Sequence, residues 1–209
     1  NFYRNRWNGI LAETAHGKTT ILKNITISLK WENLKTSFVD QDPYLYNDTI
    51  QENIFLGKNP TSEEIREAES WLKVFELDHL ASSTSKVLKL EVGEHGKKLS
   101  GGQAKRVCLI RSLMSDADFM LWDDPFSSID LPMEKRIIKF IKNKAKFKEK
   151  TWFIVTHRLT TLKRMDYAFL LHKNKGVVEQ GQIEKVLTNK GEIYEFMEKQ
   201  FVEFHPSPA

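Results

Sequence analysis

Residues 119–125 read FMLWDDP: four apolar residues in a row, then two aspartates and a proline. A continuous apolar run with no polar alternation describes a strand covered on both faces, as in a parallel sheet between helices. Such a strand delivers the residues after it to the crevice at the carboxyl ends of the strands, where open α/β sheets bind ligands. The rest of the chain repeats the pattern. TWFIVTH (151–157) and YAFLLH (167–172) read as further buried strands, TSFVDQ (36–41) as a strand ending at the turn DPYLYNDT, and residues 9–12 as a short apolar run. Helical segments lie between them. PTSEEIREAESWLKVFEL (60–77) has Thr61 and Glu64 as a capping box and Ile65, Ala68, Leu72 and Phe75 on one face. A helix is expected from Gln103 to Met114, and another can start over Thr19–Lys23. Strands alternating with helices predict an α/β core with a parallel sheet, and the helical middle, roughly 60–98, reads as an inserted subdomain.

The 209 residues suit one domain with a sizeable core; 40% are hydrophobic and 29% charged, ordinary for a globular protein. No run of about 18 apolar residues is present, so a membrane span is not expected. The first residues, NFYRNRWNG, lack the apolar stretch of a signal peptide. Cys108 is the only cysteine, which excludes an internal disulfide and fits a reducing compartment. Net charge is +4 with a pI near 9.0, which permits an acidic partner without requiring one. KFIKNKAKFKEK (139–150) holds six lysines, but Ile137, Ile138, Ile141 and Ala145 give it an apolar face, so the lysines are read as a solvated side and no nucleic-acid partner is expected. The histidines at 16, 79, 95, 157, 172 and 205 show no metal-ligand spacing. Cys108 and Trp122 are assigned to the core.

Three stretches carry chemistry. AETAHGKTT (12–20) ends as a phosphate-binding loop ends: Gly17, a Lys18 that can reach the β/γ-phosphates, and a Thr19 that can bind Mg²⁺, all opening a helix whose N-terminal amides face the phosphates. By itself a Gly-Lys-Thr triplet is a weak signal. Asp123, at the end of FMLWD, can hold Mg²⁺ directly or through water, and Asp124 can orient or deprotonate the attacking water. LSGGQ (99–103) sets two bare glycines and a serine hydroxyl at a helix start, a further anion site.

Together these resemble the nucleotide-binding domain of an ATP-binding cassette (ABC) transporter. LSGGQ is that family's signature, FMLWDD its Walker B strand, and AETAHGKTT its phosphate loop. VDQD (39–42) matches the Q-loop, with Gln41 as its glutamine; SSID (127–130) matches the D-loop; IVTHRL (154–159) supplies the switch histidine, His157. The motifs occur in family order across most of the chain. EVGEHG (91–96), NDTIQENI (47–54), HRL and VVEQG (177–181) resemble exporter-type cassettes more than importers, and DDPFSSID resembles the first cassette of the multidrug-resistance-associated (C-type) subfamily.

The resemblance implies a P-loop NTPase (RecA-like) fold in a single domain spanning 1–209, with a core of about 1–41 and 104–209 and a helical subdomain of about 42–103. It implies ATP and Mg²⁺ as ligands. Ala15, His16, Gly17, Lys18, Thr19 and Thr20 would bind nucleotide in cis, and Ser100, Gly101, Gly102 and Gln103 across a dimer; Thr19, Gln41 and Asp123 would face the metal, and Asp124, His157 and Gln41 the reaction. Partners would be a second nucleotide-binding domain, identical or not, and an exporter's transmembrane domain, which puts the chain at the cytoplasmic face of a membrane. The implied function is ATP binding and hydrolysis that powers or gates export. The alternatives are a weakly hydrolysing, nucleotide-gated dimerisation module and a soluble ABC ATPase of DNA repair or translation.

Three departures stand out. Ala12 and Ala15 replace two family glycines, and a Cβ at a position needing positive φ costs roughly 1 kcal/mol or more. Asp124 stands where the family has a catalytic glutamate, one methylene longer, which predicts slow hydrolysis. Thr19 and Gln41 are only 22 positions apart, short for the family, so part of the first helix and the strands beside it are expected to be missing. Phe2, Tyr3 and Trp7 are candidates for the adenine-stacking role but stand too near Lys18 for assignment.

Overall fold

The computed structural model describes residues 2–12, 18–172 and 175–204. Six strands form one sheet in the order β2-β3-β4-β1-β5-β6. In chain order the elements are β1 (Trp7–Ala12), α1 (Lys18–Trp31), β2 (Thr36–Val39), α2 (Ile50–Phe55), α3 (Ser62–Val74), α4 (Thr84–Leu88), α5 (Gly101–Leu113), β3 (Phe119–Asp123), α6 (Leu131–Asn143), β4 (Thr151–Val155), α7 (Leu159–Leu162), β5 (Tyr167–His172), β6 (Gly176–Gln182), α8 (Ile183–Thr188) and α9 (Glu192–Phe204). β1 to β5 run parallel. β6 runs antiparallel to β5, so the sheet is mixed rather than wholly parallel. VVEQG lies in this outer strand, whose largely polar, half-exposed residues lack the apolar run that marked the others.

Both faces of the sheet are covered, which explains the unbroken apolar runs. Ile10 and Ala12 of β1, Phe119 and Leu121 of β3, and Phe153 and Val155 of β4 pack with Leu22 of α1 on one face. The alternate residues Trp7, Leu11, Met120, Trp122, Trp152 and Ile154 join the larger core under α5 and α6 on the other. There Trp7 stacks on Trp152 at 4.4 Å between ring centres, and Trp122 meets Trp152 edge to face at 5.1 Å. Gly9 of β1 sits under α7, where an added Cβ would fall 2.7 Å from Leu162 Cδ1.

The segment between β2 and β3 is helical. α3 starts at the capping box read from the sequence, with Thr61 Oγ1 accepting from Glu64 N–H at 3.2 Å and Glu64 Oε2 accepting from Thr61 N–H at 2.7 Å. Its expected face is buried at Ala68, Leu72 and Phe75, with Trp71 fully buried beside them. α5 is capped in the same reciprocal way by Ser100 and Gln103. α1 extends well past Lys23, to Trp31, and β2 follows after four residues. One expected apolar position fails: α6 ends at Asn143, Ala145 is exposed, and Phe147 of the following turn is buried instead. Among the described residues no helix is long and apolar enough to cross a membrane.

Candidate nucleotide site

The parallel register brings the chemistry-bearing residues to one edge. β1 leads towards the candidate phosphate loop; residues 13–17 of that loop, with Ala15, His16 and Gly17, lie outside the described residues, as does the side chain of Lys18. Ala12 closes β1 as a buried residue, and Lys18 opens α1, with Thr19 and Thr20 in its first turn. Thr19 Oγ1 donates to Asp123 Oδ2 at the end of β3, so the helix start and the strand end are joined across 104 positions of sequence.

The two aspartates differ sharply. Asp123 is almost wholly buried, and burial raises its carboxyl above the ordinary range; the hydrogen bond from Thr19 works the other way, and the nearby charges of Asp40 and Asp124 add to the rise. Asp124 leaves the strand with φ +42°, a left-handed conformation that Asp tolerates better than most residues. Its N–H donates to Val155 O at 3.1 Å, which anchors the turn to the end of β4. Its Oδ1 lies 3.2 Å from His157 Nδ1. His157 follows Thr156, whose N–H is bound by Ile10 O of β1. Thr19, Asp123, Asp124 and His157 are thus gathered at the carboxyl ends of β1, β3 and β4.

Gln41 follows β2 at the same edge, exposed, with its carbonyl accepting from Lys105 Nζ at 2.9 Å. The stretch after it is tied to α5 by Arg111, which donates to Tyr44 O at 3.0 Å and to Asn53 Oδ1 at 2.9 Å. Ser100 and Gln103 spend one donor and one acceptor each on capping α5: Ser100 Oγ accepts from Gln103 N–H at 3.2 Å, and Gln103 Oε1 from Ser100 N–H at 2.8 Å. Ser100 and Gly101 are exposed, and Gly102 and Gln103 half-buried. Gly101 has open space where a Cβ would stand, while a Cβ added at Gly102 would lie 3.5 Å from the carbonyl oxygen of Ser128 in the SSID stretch, an ordinary contact.

Two parts of this edge escaped the sequence reading. Lys105 is buried under it; the readable signal was a lysine on the helical face of Cys108, Leu109 and Ser112, all of them buried. Arg158 donates to Ser127 O at 3.0 Å, Ile129 O at 2.7 Å and Glu134 Oε2 at 3.2 Å, linking the His157 turn to the SSID stretch. Glu134 is fully buried, and Thr161 Oγ1 donates to its other oxygen at 2.7 Å; nothing in the sequence marked it. Of the aromatic candidates, Trp7 is sealed in the core, Phe2 packs on Phe153 and Phe169, and Tyr3 stacks on Tyr167 at 3.6 Å while remaining partly exposed. Cys108 and Trp122 are core residues as expected, with Trp122 Nε1 donating to Ser112 Oγ at 2.8 Å.

A mostly parallel sheet whose first strand runs towards a Gly-Lys-Thr helix start, and whose third strand hands an aspartate to that threonine, is the core of a P-loop NTPase. The comparisons narrow the class. The ABC transporter family matches residues 26–127. The chain is 35% identical over 214 residues to the probable multidrug resistance ABC transporter ATP-binding/permease protein YheI of Bacillus subtilis, covering 92% of this chain and 35% of that protein. It is 35% identical over 158 residues to the ATP-dependent lipid A-core flippase of Desulfotalea psychrophila, covering 75% of this chain and 26% of that one. Among solved structures, a bacterial Atm1-family ABC exporter with ATP bound superposes with a TM-score of 0.80 at 25% identity, over 94% of this chain and 37% of the other. Together these place the chain with the nucleotide-binding domains of ABC transporters, and the solved structure on which it superposes is that of an exporter. It spans about a third or less of the length of these relatives.

Proposed function

We propose that the chain binds Mg-ATP at the carboxyl ends of β1 and β3 and, paired with a second cassette, powers or gates export through a transmembrane partner at the cytoplasmic face of a membrane. The observation that carries this reading is the Thr19–Asp123 hydrogen bond, which joins the phosphate-loop helix to the Walker B strand. A hydroxyl and a carboxylate are hard oxygen donors of the kind Mg²⁺ takes alongside phosphate oxygens. When bound, Mg²⁺ would neutralise charge on the phosphates.

In this reading Lys18, Thr19 and Thr20 hold the phosphates, together with Ala15, His16 and Gly17. Thr19, Asp123 and Gln41 face the metal, and Ser100, Gly101, Gly102 and Gln103 complete the site of the partner cassette. Residues 42–103 act as the helical subdomain that touches the transmembrane partner. Asp124 and His157 flank the position of the attacking water. The shorter Asp124 carboxylate, drawn within 3.2 Å of His157, supports slow turnover. DDPFSSID supports affinity with the first cassette of the C-type exporters. The relatives are exporters, and neither a gated module without turnover nor a soluble repair or translation ATPase is favoured by them.

The test is Mg-ATP binding to the purified chain, followed by tryptophan fluorescence, with phosphate release recorded in the same samples and Lys18→Ala as control. Binding and release that both depend on Lys18 are expected. Absence of Lys18-dependent binding would overturn the nucleotide site.

A further inference from the structure

The ladder between β2 and β3 ends at the pair Val39 and Trp122. The next residues on each strand, Asp40 and Gln41 on one side and Asp123 on the other, are the ones read as facing the metal or adjoining those that do. No strand pairing joins them. They are joined by a side chain from a third element. Lys105, in the second turn of α5, is only 2% exposed. Its Nζ donates to Asp40 O at 2.5 Å, Gln41 O at 2.9 Å and Asp123 O at 3.2 Å. An ammonium has three protons to donate, and here three carbonyls receive them.

An ammonium in this position is unusual on physical grounds. Burial disfavours its charged form, while the carboxylates of Asp124, Asp123 and Asp40 favour it. A lysine kept here against desolvation, with no carboxylate in direct contact among the described residues, does its bonding to main chain. What it sets is therefore the spacing of two chain segments, and both segments end in residues of the site.

We propose that Lys105 is a positioning residue: by clamping the main chain of Gln41 to that of Asp123, it holds the two metal-facing segments at the separation that Mg²⁺-dependent nucleotide binding requires. The inference rests on the reading of Gln41 and Asp123 as metal-facing. It involves no contact between Lys105 and the nucleotide. Outer-shell groups that orient metal ligands typically govern tenfold to a hundredfold of metal affinity.

The experiment measures ATP affinity by equilibrium dialysis with the full chain, in Mg²⁺ and again in EDTA, together with the thermal midpoint. Lys105→Met keeps an unbranched apolar stem one atom shorter and removes every donor. Lys105→Gln keeps two N–H donors without the charge, and serves also if the methionine variant fails to fold. Lys105→Met is expected to weaken ATP binding in Mg²⁺ by roughly tenfold and to leave binding in EDTA within about twofold, with Lys105→Gln falling between it and the unaltered chain. A merely structural role would lower the thermal midpoint and both affinities alike; that result, or no loss in Mg²⁺, overturns the proposal. Asp123→Asn separates the two layers of argument. If it leaves the difference between Mg²⁺ and EDTA intact, the metal-facing reading fails and the inference falls with it. If it abolishes the difference while both Lys105 variants preserve it, the inference alone fails.

Discussion

The edge of the sheet where β1, β3 and β4 end and the outer side of α3 and α6 both carry many charges, and they hold them in opposite ways. At the sheet edge, Asp123, Lys105 and Glu134 are each at most 2% exposed, and each is bound by a partner from a distant part of the chain. On the helical side, Lys144 and Lys146 reach Glu67 at 3.1 Å and 2.8 Å from positions that water also reaches. A buried charge left alone costs several kcal/mol, whereas an exposed pair contributes at most about 1 kcal/mol. The first arrangement ties strand ends into one fixed geometry. The second covers apolar surface: Lys144 Nζ lies 5.2 Å from the centres of both the Trp71 and Phe140 rings, shielding them from water with its stem.

The contrast can be broken most forcefully at Arg158. Replacing it with Met leaves Glu134 buried with only Thr161 as partner, and a loss of ~3 kcal/mol in unfolding free energy is expected. The double variant Arg158→Met/Glu134→Met should recover more than half of that loss, because the stranded charge is gone. Urea titrations of the three chains decide it; a double variant no more stable than the single one would mean that the sheet edge gains nothing from pairing. Thr19→Val is the milder version. It removes the donor to Asp123 and is expected to cost ~2 kcal/mol, in keeping with hydrogen bonds to charged groups. The same variant should also weaken Mg-ATP more than metal-free ATP, which an effect on stability alone does not produce.

Next in size is an effect on rate. Asp124→Glu lengthens the carboxylate by one methylene at a fixed turn, and a steady-state phosphate-release assay should show turnover rising roughly tenfold, about 1.4 kcal/mol of barrier. Unchanged turnover with binding intact would show that the position of this carboxylate does not limit the reaction.

These sites were unequally legible. The strands at 119, 151 and 167 announced themselves because both faces of the sheet are covered, and their apolar runs record that directly. The capping box at Thr61 is local chemistry and was read from four residues, while the one at Ser100, of the same spacing, was found only in the structure. Asp123, Asp124 and His157 were legible as motif residues, and their convergence follows from parallel strands that all end at one edge. The illegible features are those that depend on a partner far away in sequence. Lys105 looks like any helix lysine until Asp40, Gln41 and Asp123 are brought to it, and Glu134 looks like a solvent-facing acid until Arg158 and Thr161 close over it. α1 shows the same limit differently. Ile25, Ile27, Leu29 and Trp31 alternate as a strand would, yet the segment is helical and Trp31 stands 85% exposed, because of these four only Ile25 and Leu29 join Ile21 and Leu22 on the core side.

The smallest expected effect sharpens the comparison from the helical side. Burial alone would raise the Glu67 carboxyl, but hydrogen bonds and charge from Lys146 and Lys144 outweigh it, and its pKa falls below the ordinary 4.5. A carboxyl with a lowered folded-state pKa contributes stability above its unfolded value and loses it as pH falls through the folded one. Glu67→Gln should therefore be less stable than the unaltered chain by under about 1 kcal/mol near neutral pH. The difference should hold down to the unfolded value near 4.5, then shrink and vanish as the carboxylate is protonated in the folded chain. Urea midpoints of the two chains across that range provide the measurement. A difference that outlasts protonation would have to come from packing around Trp71 rather than from charge. A difference of several kcal/mol at neutral pH would mean that this ion pair is as costly to break as those at the sheet edge, and that exposure does not separate the two regions.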